Sequence, residues 1–423
     1  VTPVKRLKTT LNHQQPDRVC IDFGATMCTG ISVVAVAKLR KALFDDDSPV
    51  KVVEPYQMLG EIDEGLRRAI GADVLPVLPP KTLFGFENTD WKPFRLFDGT
   101  EVLVPGKFNV TPDEKGGWLI YPEGDTAAAP SGRMPQYGFY FDATDRQGPI
   151  DEDSLNVEDN LEEFAPLDAA TVDRLAAEAR KAAERGMGAV LSVPGTGFGD
   201  IALVPAMWLK QPRGIRGVQE WYMSTLARRD YVYAVFEKQC EVALANLAVL
   251  AKAVGDNVQA AFITGTDFGT QQGCFIAPQA YRDLYQPFHK QVNGFIHKHT
   301  NWKTLIHSCG SVIELIPDFI EAGFDILNPV QCSAAGMDPA KLKREFGNDI
   351  VFWGGGVDTQ KTMPFGTPEE VYKEVKERIE IFNDGGGFVF NAIHNLQANS
   401  PVENMLAMLQ AVKDSQEKSD VES

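Results

Sequence analysis

The sequence predicts an α/β chain: a single (β/α)8 TIM-type barrel over residues 1–423, with an N-terminal β-hairpin insertion. Three observations carry this expectation. Short apolar runs of strand character alternate with helical spacing, the pattern of a parallel sheet covered by helices. About eight such runs occur, near residues 19, 75, 190, 259, 304, 325, 350 and 388, which is the number that closes a barrel. Residues 84–165 interrupt the rhythm with glycine, proline, aromatic and acidic residues and read as a β-rich insertion.

In chain order, Pro3–Gln15 reads as a short amphipathic helix and Arg18–Phe23 as a first strand ended by Gly24. Helical spacing returns over Val33–Leu43 and Gln57–Ile70, the latter stopping at Gly71, and Asp73–Leu78 reads as a second strand. Alternating stretches such as Thr100–Val104 and Trp118–Tyr121, separated by turn signals at Asp98-Gly99 and Lys115-Gly116-Gly117, predict an antiparallel hairpin serving as a lid or a dimer surface. Its aromatic residues are expected to form the core of a small sheet. Gln147–Phe164 is acidic and reads as a surface connection.

From Asp168 the alternation is regular. Asp168 is placed to cap an Ala-rich helix over Val172–Glu184, with Gly186 just past its end. The strand Ala189–Val193 runs into Pro194–Gly199, a loop that turns sharply or closely approaches something. Long helices are expected over Tyr231–Val254 and Pro278–Lys298, with a strand Val258–Ile263 between them. The remaining units pair strands at Lys303–Ile306, Phe324–Asn328, Asp349–Trp353 and Gly387–Asn391 with helices at Val312–Ile320, Pro339–Phe346, Thr367–Phe382 and Pro401–Lys413. Thr367 is the expected N-cap of its helix, and the polar tail from Asp414 is expected to fray. The glycine triplets at 354–356 and 385–387 lack dinucleotide-binding spacing and read as turns.

A formal net charge of -17 and the lack of a basic run argue against nucleic acid or an anionic membrane as partner. No apolar run reaches membrane-spanning length, and residues 1–8 lack the apolar core of a signal peptide. Six cysteines scattered over 423 residues are not a disulfide framework, so a cytoplasmic location is expected.

In a barrel the strand C-termini form the face where active sites sit. There the sequence places Asp267 and Gln271, then His307 and Cys309, then Asn328, Gln331 and Cys332, then Asp358, then Asn391, His394 and Gln397. His307 and Cys309 are two apart in an extended segment and point to one side, and imidazole and thiolate are the donors zinc prefers. Zinc on His307, Cys309 and His394 would keep an open position, as catalytic zinc does. Asp267 and Cys332 are candidates for a further ligand, and Asp267 could instead orient an imidazole. Asp267 and Asp358 are the candidate catalytic carboxylates; Gln271, Asn328, Gln331, Asn391 and Gln397 are candidates for binding substrate. His13, in the first helix, reads as a surface residue, and His289, His297 and His299 as solvated or structural.

The motifs Leu305–Ser311, Ala322–Pro329, Gly355–Asp358, Gly385–Phe388 with His394, and Pro401–Asn404 resemble the uroporphyrinogen decarboxylase superfamily. Gln15–Val19 and Gly71–Val74 look similar too, and the resemblance spans the chain apart from the insertion. It implies a distorted (β/α)8 barrel and one of two chemistries. Decarboxylases of the superfamily need no metal and carry an N-terminal Arg-rich segment, whereas Asp22–Gly30 has no arginine. The corrinoid-dependent methyltransferases use zinc on a His-x-Cys pair plus a later cysteine. Here His307 and Cys309 match the pair, and the later position falls at His394. Imidazole in place of thiolate makes the site one unit more positive, which suits the oxygen of a methyl ether.

The resemblance therefore implies a zinc-dependent methyltransferase that moves a methyl group from a small methylated, for instance methoxy, substrate to a corrinoid. The chain has no corrinoid-binding D-x-H-x-x-G motif, so the cobalamin would be carried by a separate protein. A carboxy-lyase and a non-catalytic binding barrel are the alternatives, and a homodimer is expected by analogy.

Overall fold

The computed structural model describes residues 1–417. Eight strands form one sheet: β1 Cys20–Ile21, β2 Val74–Val77, β3 Gly188–Ser192, β4 Ala260–Thr264, β5 Lys303–His307, β6 Ile326–Asn328, β7 Val351–Trp353 and β8 Phe388–Phe390. They pair in parallel in chain order from β2 to β8, and β8 pairs with β1, so the sheet curls into the expected (β/α)8 barrel. Side chains that alternate toward the axis fill it: Cys20, Val74, Val190, Ala260, Leu305, Ile326, Val351 and Val389 pack as one cluster.

The seam between β1 and β2 is closed largely by one side chain. Asp73 donates its N–H to Ile21 O (2.8 Å), and its carboxylate accepts the Ile21 N–H (3.0 Å). Arg6 and Arg18 neutralise that carboxylate at 2.6 and 2.8 Å. Arg6 lies on the N-terminal helix Pro3–Leu11, whose Leu7 and Leu11 plug the N-terminal end of the barrel. The plug explains Gly188 at the start of β3: a Cβ there would lie 2.6 Å from Leu7 Cδ2.

The β-rich region forms two four-stranded sheets. One is antiparallel: Val110–Pro112, Trp118–Ile120, Gly132–Met134 and Asp142–Ala143. The other joins Lys92–Arg95 and Glu101–Val104 to Val50–Glu54 and Leu59–Gly60, two strands absent from the sequence reading. Aromatic packing holds this lobe, as expected: Phe97 stacks on Trp118 at 3.9 Å, and Phe84, Phe86, Phe108 and Phe141 are buried.

Several helices differ from expectation. The first ends at Leu11, and His13 lies beyond it with φ 53° and its Nδ1 3.0 Å from Gly347 O. The second half of Gln57–Ile70 alone is helical, from Glu64, because Asp63 caps it through the Leu66 N–H. The helix expected over Pro278–Lys298 is two, Pro278–Leu284 and Gln286–His299, broken just ahead of Pro287, which has no N–H for a continuous ladder. Val218–Ala227 and Thr362–Phe365 are helices the sequence reading left out. The Asp168 cap and the Thr367–Glu370 capping box form as expected. Asp414 to Glu417 continue the last helix, and the rest of the polar tail lies outside the described residues. Among the described residues no helix is long and apolar enough to cross a membrane.

Candidate active site at the C-terminal rim

β5 ends on His307, which is buried. Its Nδ1–H donates to Asn328 Oδ1 (2.6 Å), at the end of the neighbouring β6. Asn328 is itself oriented, because its Nδ2 donates to Trp353 O (2.8 Å) at the end of β7. With the proton held on Nδ1, His307 Nε2 keeps a free lone pair. Cys309 Sγ lies 3.3 Å from that nitrogen. Tetrahedral zinc with ordinary Zn–N and Zn–S lengths sets such a pair about 3.6 Å apart, so the two atoms fit one ion with little movement.

The loops after β4 and β5 touch at paired glycines. A Cβ on Gly269 would lie 2.5 Å from Cys309 O, and one on Gly310, where φ is +86°, 2.5 Å from Gly269 C. This contact lets Asp267 accept the Cys309 N–H at 2.7 Å. Asp267, His307 and Cys309 bring one donor atom each within 4.8 Å of one another, and so do Cys28, His307 and His394. His307 is common to both groups. The ring centroids of His307 and His394 are 5.3 Å apart.

A sequence model of the family "Uroporphyrinogen decarboxylase (URO-D)" matches residues 135–415. The chain belongs to the uroporphyrinogen decarboxylase family. Among its relatives, a methylated-thiol–coenzyme M methyltransferase of Methanosarcina mazei is 27% identical over 140 residues, 33% of this chain and 34% of that protein. A uroporphyrinogen decarboxylase of Mannheimia succiniciproducens is 26% identical over 148 residues, 33% of this chain and 38% of that one. The chain thus aligns with little more than a third of the length of these curated relatives. A solved methyltransferase from Methanosarcina mazei superposes over 98% of both chains with a TM-score of 0.54 at 14% identity, a likeness of fold.

Against the family's barrel, the rim residues divide into those that meet and those that do not. Gln331 accepts the Gly310 N–H at 2.7 Å and steadies the loop bearing Cys309. Asn391 donates to Asp22 O (2.7 Å) and Thr29 O (3.2 Å), while its buried Oδ1 has no partner among the described residues. Gln397 stays within its own loop, 3.5 Å from Asn395 O. The Gln271 side chain is exposed, and its backbone carbonyl accepts from Ala335 N. The Asp358 carboxylate accepts the N–H groups of Gln360 (2.7 Å) and Lys361 (3.2 Å) in a turn. Cys332 Sγ faces the carbonyls of Val330 and Gly355. Of the other histidines, His289 is buried with its Nδ1 3.1 Å from Tyr281 OH, and His297 Nε2 pairs with Asp325 at 2.7 Å, both structural uses.

Sequence reasoning missed Cys28, Glu54 and Asp200. Cys28 sits in the loop after β1, fastened by Asn391 and by Asn395, whose Nδ2 donates to Met27 O at 2.9 Å and to Gln57 Oε1 at 2.7 Å. Glu54 ends a strand of the lobe and accepts the N–H groups of Tyr56 and Gln57. Asp200 follows β3 and accepts those of Ala202 and Gly265. Burial pushes the Glu54 carboxyl up to about 7, and burial with neighbouring Asp267 pushes Asp200 up to about 6. Burial and these carboxylates likewise push the thiols of Cys28 and Cys309 well up. Burial, with His307 beside it, drives His394 down to about 3, so its ring is neutral. Arg6 and Arg18, the first two arginines of the chain, bind Asp73 at the opposite end.

Proposed function

We propose that this member of the family is a zinc-dependent methyltransferase that takes a methyl group from a small methylated donor and passes it to a corrinoid carried by a separate protein. The observation that carries the reading is the His307–Cys309 pair: a nitrogen with a free lone pair 3.3 Å from a thiol. Asp267, Cys28 and His394 stand within reach to complete the set. The names of the Methanosarcina relatives support the same chemistry.

Bound there, zinc would polarise the donor's heteroatom so that the carbon–heteroatom bond can break with its electron pair on the heteroatom, while the reduced corrinoid brings the pair for the new bond to the methyl carbon. The chain's own residues fix the geometry. Asn328 holds the His307 tautomer, Asp267 and Gln331 hold the backbone around Cys309, and neutral His394 offers an N–H toward the same space. Asp200 and Glu54, which burial pushes up to about 6 and about 7, are among the carboxyls that raise the Cys28 thiol. A polycarboxylate such as a porphyrinogen would meet carboxylates here, which disfavours the carboxy-lyase alternative.

The test is elemental analysis followed by a transfer assay. About one zinc per chain, lost in His307→Ala, is expected, with methyl transfer from a methoxy compound or a methyl thioether to reduced cobalamin read from its absorption. Metal-free protein that still turns over, or metal-loaded protein inert to every methylated donor offered, would refute the reading.

A further inference from the structure

Resting on the zinc reading above, we infer that Cys28, from the loop after β1, supplies the third protein ligand, and that His394 faces the ion as a hydrogen-bond donor instead. One donor atom each of Cys28 and His394 lies within 4.8 Å of the other and of His307, so both are within reach of an ion on His307. Their hydrogen bonds separate them. The Asn395 N–H donates to His394 Nδ1 at 2.8 Å. A neutral ring that accepts on Nδ1 carries its proton on Nε2 and has no lone pair left for an ion. His307 is held the opposite way, Nδ1–H outward to Asn328 and the Nε2 lone pair facing Cys309 Sγ.

Among the described residues no hydrogen bond similarly engages Cys28 Sγ. Its backbone N–H is bonded to Thr26 Oγ1 at 3.1 Å, and its loop is clamped by Asn391 and Asn395, so the thiol is presented from a fixed backbone. Two sulfurs on tetrahedral zinc stand about 3.8 Å apart. Binding then requires the Cys28 and Cys309 side chains to close on their common neighbour, His307 Nε2. That set has one imidazole and two thiolates, which cancel the charge of the ion. The extra positive unit behind the methoxy expectation disappears, and a sulfur leaving group, softer than an alkoxide, suits the site better.

X-ray absorption at the zinc edge of the loaded wild-type protein tests the ligand set without any substitution. Two sulfur neighbours at about 2.3 Å are expected, and a single sulfur would overturn the assignment. The cobalt(II)-loaded protein gives a second readout. Thiolate-to-cobalt charge-transfer absorption should fall to about half in Cys28→Ser and stay near the wild-type level in His394→Ala, with circular dichroism confirming that both variants fold. Cys28→Asp, which keeps an anionic donor, should retain metal where Cys28→Ser binds it more weakly. If wild type holds one metal with one sulfur and only His394→Ala loses it, the zinc reading stands and the Cys28 assignment falls. If wild type holds no metal, both fall.

Discussion

Asp73, at the N-terminal end of the barrel, and Asp200, at the C-terminal rim, are both buried carboxylates, yet their surroundings share little. Asp73 takes two guanidinium groups and a backbone N–H. Asp200 takes backbone N–H groups alone, with Asp267 as an electrostatic neighbour and Glu54 near the same thiol. One end neutralises its charge internally and so closes the barrel. Among the described residues the other gives Asp200 and Glu54 no cationic side chain, and burial raises their affinity for protons instead.

The largest effect should come from the rim. His307→Ala should abolish stoichiometric zinc and methyl transfer while leaving the melting temperature of the metal-free protein within a few degrees of wild type. A melting temperature that collapses instead would mean the rim is structural and erase the contrast. At the other end, Asp73→Ala removes the buried carboxylate that Arg6 and Arg18 share, leaving Arg6 to Asp17, and should cost about 3 kcal/mol in denaturant unfolding, with zinc stoichiometry of the folded fraction unchanged. Asn328→Ala releases the His307 tautomer and should weaken zinc binding by about 10–100-fold, measured by competition with a chelator.

The smallest effect sharpens the electrostatic side. Glu54 in the folded chain titrates at about 7, above the usual carboxylate value, so the folded state holds a proton that the unfolded state has released. Its contribution is therefore full below the unfolded value and lost as pH rises toward 7. Metal-free protein should lose of order 1–3 kcal/mol between about pH 4.5 and pH 7 from this group. Glu54→Gln should flatten that part of the pH–stability curve, and an unchanged slope would show that Glu54 is not buried as described.

The barrel was legible because parallel strands buried on both faces read as short apolar runs, and all eight lie within a few residues of their expected positions. The His307–Cys309 pair was legible for a local reason: two residues at the end of one strand need no knowledge of the rest of the chain. Cys28 was not, since its place beside His307 depends on β8 pairing with β1 and on Asn391 and Asn395 reaching back across more than 360 positions. Val50–Glu54 was hidden in part for the same reason, as one of its two partner strands is Glu101–Val104. Val218–Ala227 hid because Ser224 and Thr225 are on its buried side, their hydroxyls satisfied by carbonyls of the same helix.

The clamp of Asn391 and Asn395 on the loop after β1 also implies an order in which a metal site there would assemble during folding. His307 and Cys309 are neighbours in sequence and come together once β5 exists, whereas Cys28 and His394 meet His307 only after the last strand has docked on the first. Contacts of such long range form late. Tight metal capture would then mark the closing of the ring, and a chain stalled short of residue 388 would hold its ion loosely enough for a chelator to remove it.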